Sequence, residues 1–117
     1  MPIQIRDIQT REPQFIELNS LNDLHEATGK PVKIVSFFGQ ILSTQYLGKK
    51  DGMFYFARQR SKDSIDLISS SKIEFPDGYD MPFINSSNPN DIKVITPEND
   101  RARYDALHNG LKEVGLA

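Results

Sequence analysis

Cysteine is absent from the 117 residues, which excludes disulfides, thiolate metal sites and thiol nucleophiles together and leaves packing as the source of stability. No apolar run approaches the ~20 residues that a membrane span requires. Met1 to Asp7 has neither the basic start nor the long apolar stretch of a signal peptide. A membrane partner is therefore not expected, and the cytoplasm is the expected compartment.

Catalytic constellations are missing as well. His25 stands beside Glu26 and His108 beside Asn109, neither with the His-x-x-x-His spacing that holds a metal nor with a positioned acid–base partner. Thr28-Gly29-Lys30 ends like a phosphate loop, but the glycine five residues before Gly29 and the hydroxyl residue after the lysine are lacking. Ser69-Ser70-Ser71 has no Gly-x-Ser-x-Gly frame and more simply satisfies a turn. Asp77 and Asp80 lack the other oxygens and the terminal glutamate of a calcium loop. The expectation is a non-enzymatic protein without cofactor or metal.

What the chain does contain is a folded composition, 38% apolar and 26% charged, at a length that suits one domain whose core comes largely from one sheet system. Its centre reads as a compact β-unit. Pro31 opens Val32 to Phe38, Gly39 turns the chain, and Gln40 to Gly48 runs into Lys49-Lys50-Asp51-Gly52. Met53 to Arg60 returns, and Ser64 to Ser69 and Lys72 to Phe75 close the set. Short strands joined by tight turns outline a small five-stranded barrel of the Sm or SH3 type over about residues 30–76.

The flanks add helices and edge strands. Ile3 and Ile5 alternate with polar neighbours, and Gln14 to Leu18 suits a second short strand, both placed at an edge. Ser20 is a candidate N-cap for a short helix whose Leu21 and Leu24 would rest on the barrel, with Gly29 as its stop. Residues 77–91 are turn-rich and read as a long loop, in which Tyr79, Met81 and Phe83 would pin the loop or meet a partner. Residues 92–115 read as a strand over Ile92 to Ile95 and then a helix. Thr96-Pro97-Glu98 is its start signal, and Tyr104, Leu107, Leu111 and Val114 form its apolar face. Gly110 weakens that helix, so tertiary docking or a partner must support it.

Charge is polarised along the chain. Residues 30–75 hold eight basic side chains against four acidic ones, so with an overall charge of −2 the flanks sum to −6. A basic centre points to an acidic or polyanionic partner. Another protein is the expected partner, met by Lys49, Lys50, Arg58, Arg60 and Lys62 on the central hairpin together with Tyr79 and Phe83. The alternative is single-stranded nucleic acid, stacked on Phe54 or Tyr55 with Arg58 and Arg60 on the phosphates. Against it, one set of the alternating residues Met53 to Ala57 must be core, and Phe54 with Phe56 is the better choice. Open sheet edges also permit a homo-oligomer.

Two families are similar in part. Leu21-Asn22, Leu24, Pro31-Val32-Lys33-Ile34, Gly39, Leu42 and Ser70 to Pro76 resemble the run of the Sm-like family that includes the bacterial RNA chaperone Hfq, over about residues 20–76. That resemblance implies a five-stranded barrel and RNA binding. The pore residues Tyr-Lys-His of Hfq are replaced here by Leu67, Ile68 and Ser69, so the pore chemistry is not implied. The helix, Gly29-Lys30-Pro31-Val32 and the hairpin are also similar to the N-terminal barrel of flagellar-brake proteins related to PilZ. Arg58 with Lys62 does not reproduce the PilZ arginine motif, and no dinucleotide is expected. Phage and plasmid inhibitors that bind a host enzyme through a small barrel share this sequence character, which favours an adaptor or inhibitor role. The fold class expected is mainly β with flanking helices (α+β): a barrel, a short helix before it and a docked C-terminal helix.

Overall fold

The computed structural model describes residues 3–18, 20–35, 41–75 and 94–116. Two strands, β1 (Gln4–Thr10) and β2 (Gln14–Ile16), precede a short helix, α1 (Leu21–Glu26). Five strands follow: β3 (Pro31–Val35), β4 (Ile41–Lys50), β5 (Met53–Ser61), β6 (Ser64–Ser70) and β7 (Ile73–Glu74). A long helix, α2 (Arg101–Glu113), comes last. The protein is mainly β, with the strands joined in one mixed sheet in the order β1-β6-β5-β4-β3-β2-β7.

The meander β3 to β6 is antiparallel, as short loops dictate. Asp51 (φ 51°) and Gly52 (φ 80°) form a two-residue turn between Lys50 and Met53, the left-handed pair that matches the twist of a tight hairpin. A register shift between Tyr46 and Gly48 makes Leu47 an extra residue, and Gly48 at φ 135° absorbs the distortion.

Of the two N-terminal strands, β1 stands at a sheet edge as expected, whereas β2 is internal. β1 lies parallel to β6 from Gln4–Ser64 to Thr10–Ser70, and β2 sits between β3 and β7. A barrel made of the strands after α1 alone would place β3 beside β7; here β2 separates them. Glu17 extends the β2–β3 contact, its carboxylate accepting from the Lys33 N–H at 2.9 Å.

Strand alternation divides the apolar residues into two clusters. On one face Ile16, Val32, Ile34, Tyr46, Phe54, Phe56 and Ile68 pack together with Leu24 of α1. On the other, Ala57, Ile65 and Leu67 meet Ile95 and Leu107, with Ile3, Ile5, Tyr104 and Leu111 around them. The C-terminal helix is thus docked by its Tyr104–Leu107–Leu111 face, as the spacing predicts.

Local differences have local causes. Ser20 does cap α1, its Oγ accepting from the Asp23 N–H at 3.2 Å. One turn and a half of helix turns only Leu24 fully inward, so Leu21 remains 39% exposed. Val94 and Ile95 are in no strand: Gln45 holds the Ile95 backbone, accepting from its N–H at 3.1 Å and donating to its carbonyl at 3.5 Å. Thr96 starts a turn instead of the helix, through reciprocal bonds with Asn99. The helix cap is Asp100, which accepts from the Arg103 N–H.

Candidate functional site

Asp66 is a charged side chain fully buried within the sheet. It lies mid-ladder on β6, in register with Arg6 of β1 on one side and Arg58 of β5 on the other, and it has no solvent exposure. Hairpin parity puts Asp66 and Arg58 on the Phe54–Phe56–Ile68 face, at the end where β5 turns into β6. A lone carboxylate there would cost several kcal/mol. Arg58 offsets this with a charge-assisted bond, Nη2 to Oδ2 at 2.6 Å.

Two further arginines converge on the same carboxylate. Arg6 Nε is 3.8 Å from Oδ1, and Arg60 Nη1 is 3.9 Å from Oδ2. Arg60 occupies the register shift between Gln59 and Ser61, where the ladder loosens toward the turn. The side chain of Arg58 is 25% exposed, whereas those of Arg6 and Arg60 are 46% and 49% exposed. Three guanidinium groups on one carboxylate leave two positive charges in excess at this end of the sheet.

The first turn of α2 is tied to the same end. Arg103 donates to the carbonyl of Lys62 in the β5–β6 turn, and its Nη1 reaches Asp100 Oδ2 at 2.5 Å. Helix cap and hairpin tip are thereby linked, with the Lys62 side chain exposed beside them.

The remaining sequence candidates lie elsewhere. Lys49 and Lys50 end β4 beside the start of β5, roughly 20 Å from Arg60 at the ordinary strand rise, so the basic hairpin is two separate cationic ends. The ammonium of Lys49 sits 5.1 Å from the centroid of the Phe54 ring. Phe54 itself is a core residue, 7% exposed. Tyr55 faces the α2 side, where with Asp7, Gln9, Leu67, Ser69, Glu113 and Val114 it lines a groove of about 380 Å³. Tyr79 and Phe83, with the rest of the 77–91 loop, lie outside the described residues.

Arg6 and Asp66 were not among the expected site residues. Asp66 carries no signal for this role in the sequence: counting back from the Lys62–Asp63 turn pairs it with Gln59, and only the register shift between Gln59 and Ser61 brings it opposite Arg58 on the phenylalanine face. Arg6 has none either, because its parallel partner is 60 positions away and no turn fixes the register.

Comparison with models of protein families, with curated proteins and with solved structures finds no match. Among the described residues no helix is long and apolar enough to cross a membrane.

Proposed function

We propose that this chain is a non-enzymatic binding module that docks an acidic segment of another protein at the Arg6–Arg58–Arg60 end of the sheet. One observation carries the proposal: a fully buried carboxylate gathers three arginines from two strands and leaves two of them half-exposed. Cations gathered in this way concentrate the positive field that an acidic partner meets. Relative to the central hairpin expected from the sequence, Arg58, Arg60 and Lys62 keep this role, Arg6 joins them, and Lys49 and Lys50 do not contribute to the same surface.

The proposal includes a small SH3- or Sm-sized barrel as the scaffold. Taken as one bent strand, β1–β2 pairs with β6–β7 along two successive parallel ladders, and β2 also takes β3. That pattern supports closure of five staves, with the N-terminal strands as one of them. The nucleic-acid alternative has less support, because stacking and phosphate contact need aromatics and cations on one surface. Phe54 is buried, and Tyr55 lies on the face opposite the arginines.

A titration separates the two. A fluorescein-labelled deca-glutamate peptide should bind at low salt, and Arg6→Glu with Arg60→Glu should abolish that binding while the melting curve stays cooperative. A labelled oligouridine binding more tightly than the peptide, with the steep salt dependence of counterion release, would transfer the site to nucleic acid.

A further inference from the structure

We infer that the group this cluster takes from its partner is a phosphomonoester dianion on a phosphorylated protein side chain, an inference that rests on the acidic-segment reading above. The charge balance is the first reason. Three guanidiniums against one carboxylate leave an excess of two positive charges, and a phosphomonoester carries about −1.5 to −2 near neutral pH. A glutamate carboxylate or a nucleic-acid phosphodiester neutralises only half of it.

The donor inventory is the second reason. Arg58 commits its short bond to Asp66. Arg6 and Arg60 approach the carboxylate at 3.8 Å and 3.9 Å, beyond hydrogen-bond distance, and make no hydrogen bond among the described residues. Their planar forks therefore retain donors for the tetrahedral array of phosphate oxygens. β6 lies between the strands that carry them, so the two side chains start about 10 Å apart, a span that one bridging phosphate group suits.

The third reason is the surroundings. Asp66 is fully buried, so it organises the arginines without presenting its own charge to the ligand. The neighbouring acid Asp100 is engaged by Arg103. The Lys49 end has no equivalent: its ammonium lies over the Phe54 ring, and no buried carboxylate gathers cations there among the described residues.

The test uses the full chain and the labelled peptide Gly-Asp-pSer-Glu-Gly, with two controls carrying Ser or Glu at the central position. The phosphopeptide should bind about ten-fold more tightly than the Glu peptide, as charge-assisted bidentate contacts exceed a single carboxylate contact, and inorganic phosphate should compete. Arg6→Gln with Arg60→Gln should erase the difference, and because the Arg58–Asp66 pair remains, an unchanged melting curve confirms the fold. Equal affinity for the phospho and Glu peptides, both lowered by the double substitution, overturns the phosphate inference and leaves the acidic-segment reading standing. No binding of any peptide at low salt overturns both. A phosphate preference that survives in the double variant, or tighter binding of a 5′-phosphorylated oligonucleotide than of the phosphopeptide, overturns the inference as well.

Discussion

Arg58 and Asp66 face each other across the β5–β6 ladder with Nη2 and Oδ2 2.6 Å apart, and the aspartate is closed off from solvent. Removing one member of such a pair leaves the other charge uncompensated. Asp66→Asn should destabilise the fold by about 2–4 kcal/mol, the lower side of the range for buried pairs because Arg58 retains some water. Thermal melting followed by circular dichroism checks this. Replacing both partners, Asp66→Leu with Arg58→Met, should recover most of the loss, since an apolar pair of similar volume avoids the desolvation. Additive losses in the double variant would show that the two side chains are not energetically coupled.

Two glycines should respond in opposite directions. Gly110 lies in α2 over β1, and an added Cβ would meet Ile5 Cγ2 at 3.6 Å, an ordinary contact. Gly110→Ala should therefore stabilise by up to about 1 kcal/mol, the helix-propensity difference. Gly52 holds φ 80° in the β4–β5 turn, where a side chain is strained even with open space around it. Gly52→Ala should cost about 1 kcal/mol. Urea midpoints for the two variants, moving apart from the parent, are the measurement.

Gln45 joins the sheet to the segment before α2 through both backbone groups of Ile95. Gln45→Leu keeps the bulk and strands a buried N–H, at a cost of about 1–3 kcal/mol. Hydrogen exchange should show the Ile95 amide losing protection together with the amides of α2, while those of β3 and β4 keep theirs. Retained protection at Ile95 would count against the clamp.

Tyr46 is fully buried against Phe56, with ring centroids 5.2 Å apart, and its hydroxyl makes no hydrogen bond among the described residues. Burial pushes its pKa above the ordinary value of 10.0. The folded state then holds the phenolic proton more tightly than the unfolded state does, so stability is fully present below pH 10.0 and falls as pH rises from there through the folded pKa. Tyr46→Phe should remove this alkaline loss and be neutral or slightly stabilising at pH 7, because no hydrogen bond is forfeited. Denaturant unfolding at several pH values on either side of 10.0 gives the comparison.

Local chemistry was legible in the sequence and distant pairing was not. Ser20, the Asp51–Gly52 turn and the Tyr104–Leu107–Leu111 face each act within a few residues, and each was visible as a cap, a turn signal or a period. The placement of β2 between β3 and β7 depends on strands separated by tens of residues, for which short segments such as Gln14–Ile16 carry no register. Thr96-Pro97-Glu98 illustrates a near miss: the capping chemistry is present but is spent on a turn, and Asp100 begins the helix one turn later. In the candidate site Arg58, Arg60 and Lys62 are legible as cations, but the sequence does not show that Lys49 and Lys50, at the β4–β5 turn, lie at the far end of β5 from them.

The parallel ladder between β1 and β6 has a consequence for biosynthesis. Residues 4–10 leave the ribosome well before their hydrogen-bonding mate exists, and Ile5 and Ile8 wait unpaired until residue 70 has emerged. Closure of this ladder therefore waits for about sixty further residues of synthesis, and chaperone dependence should track the time that β1 spends alone.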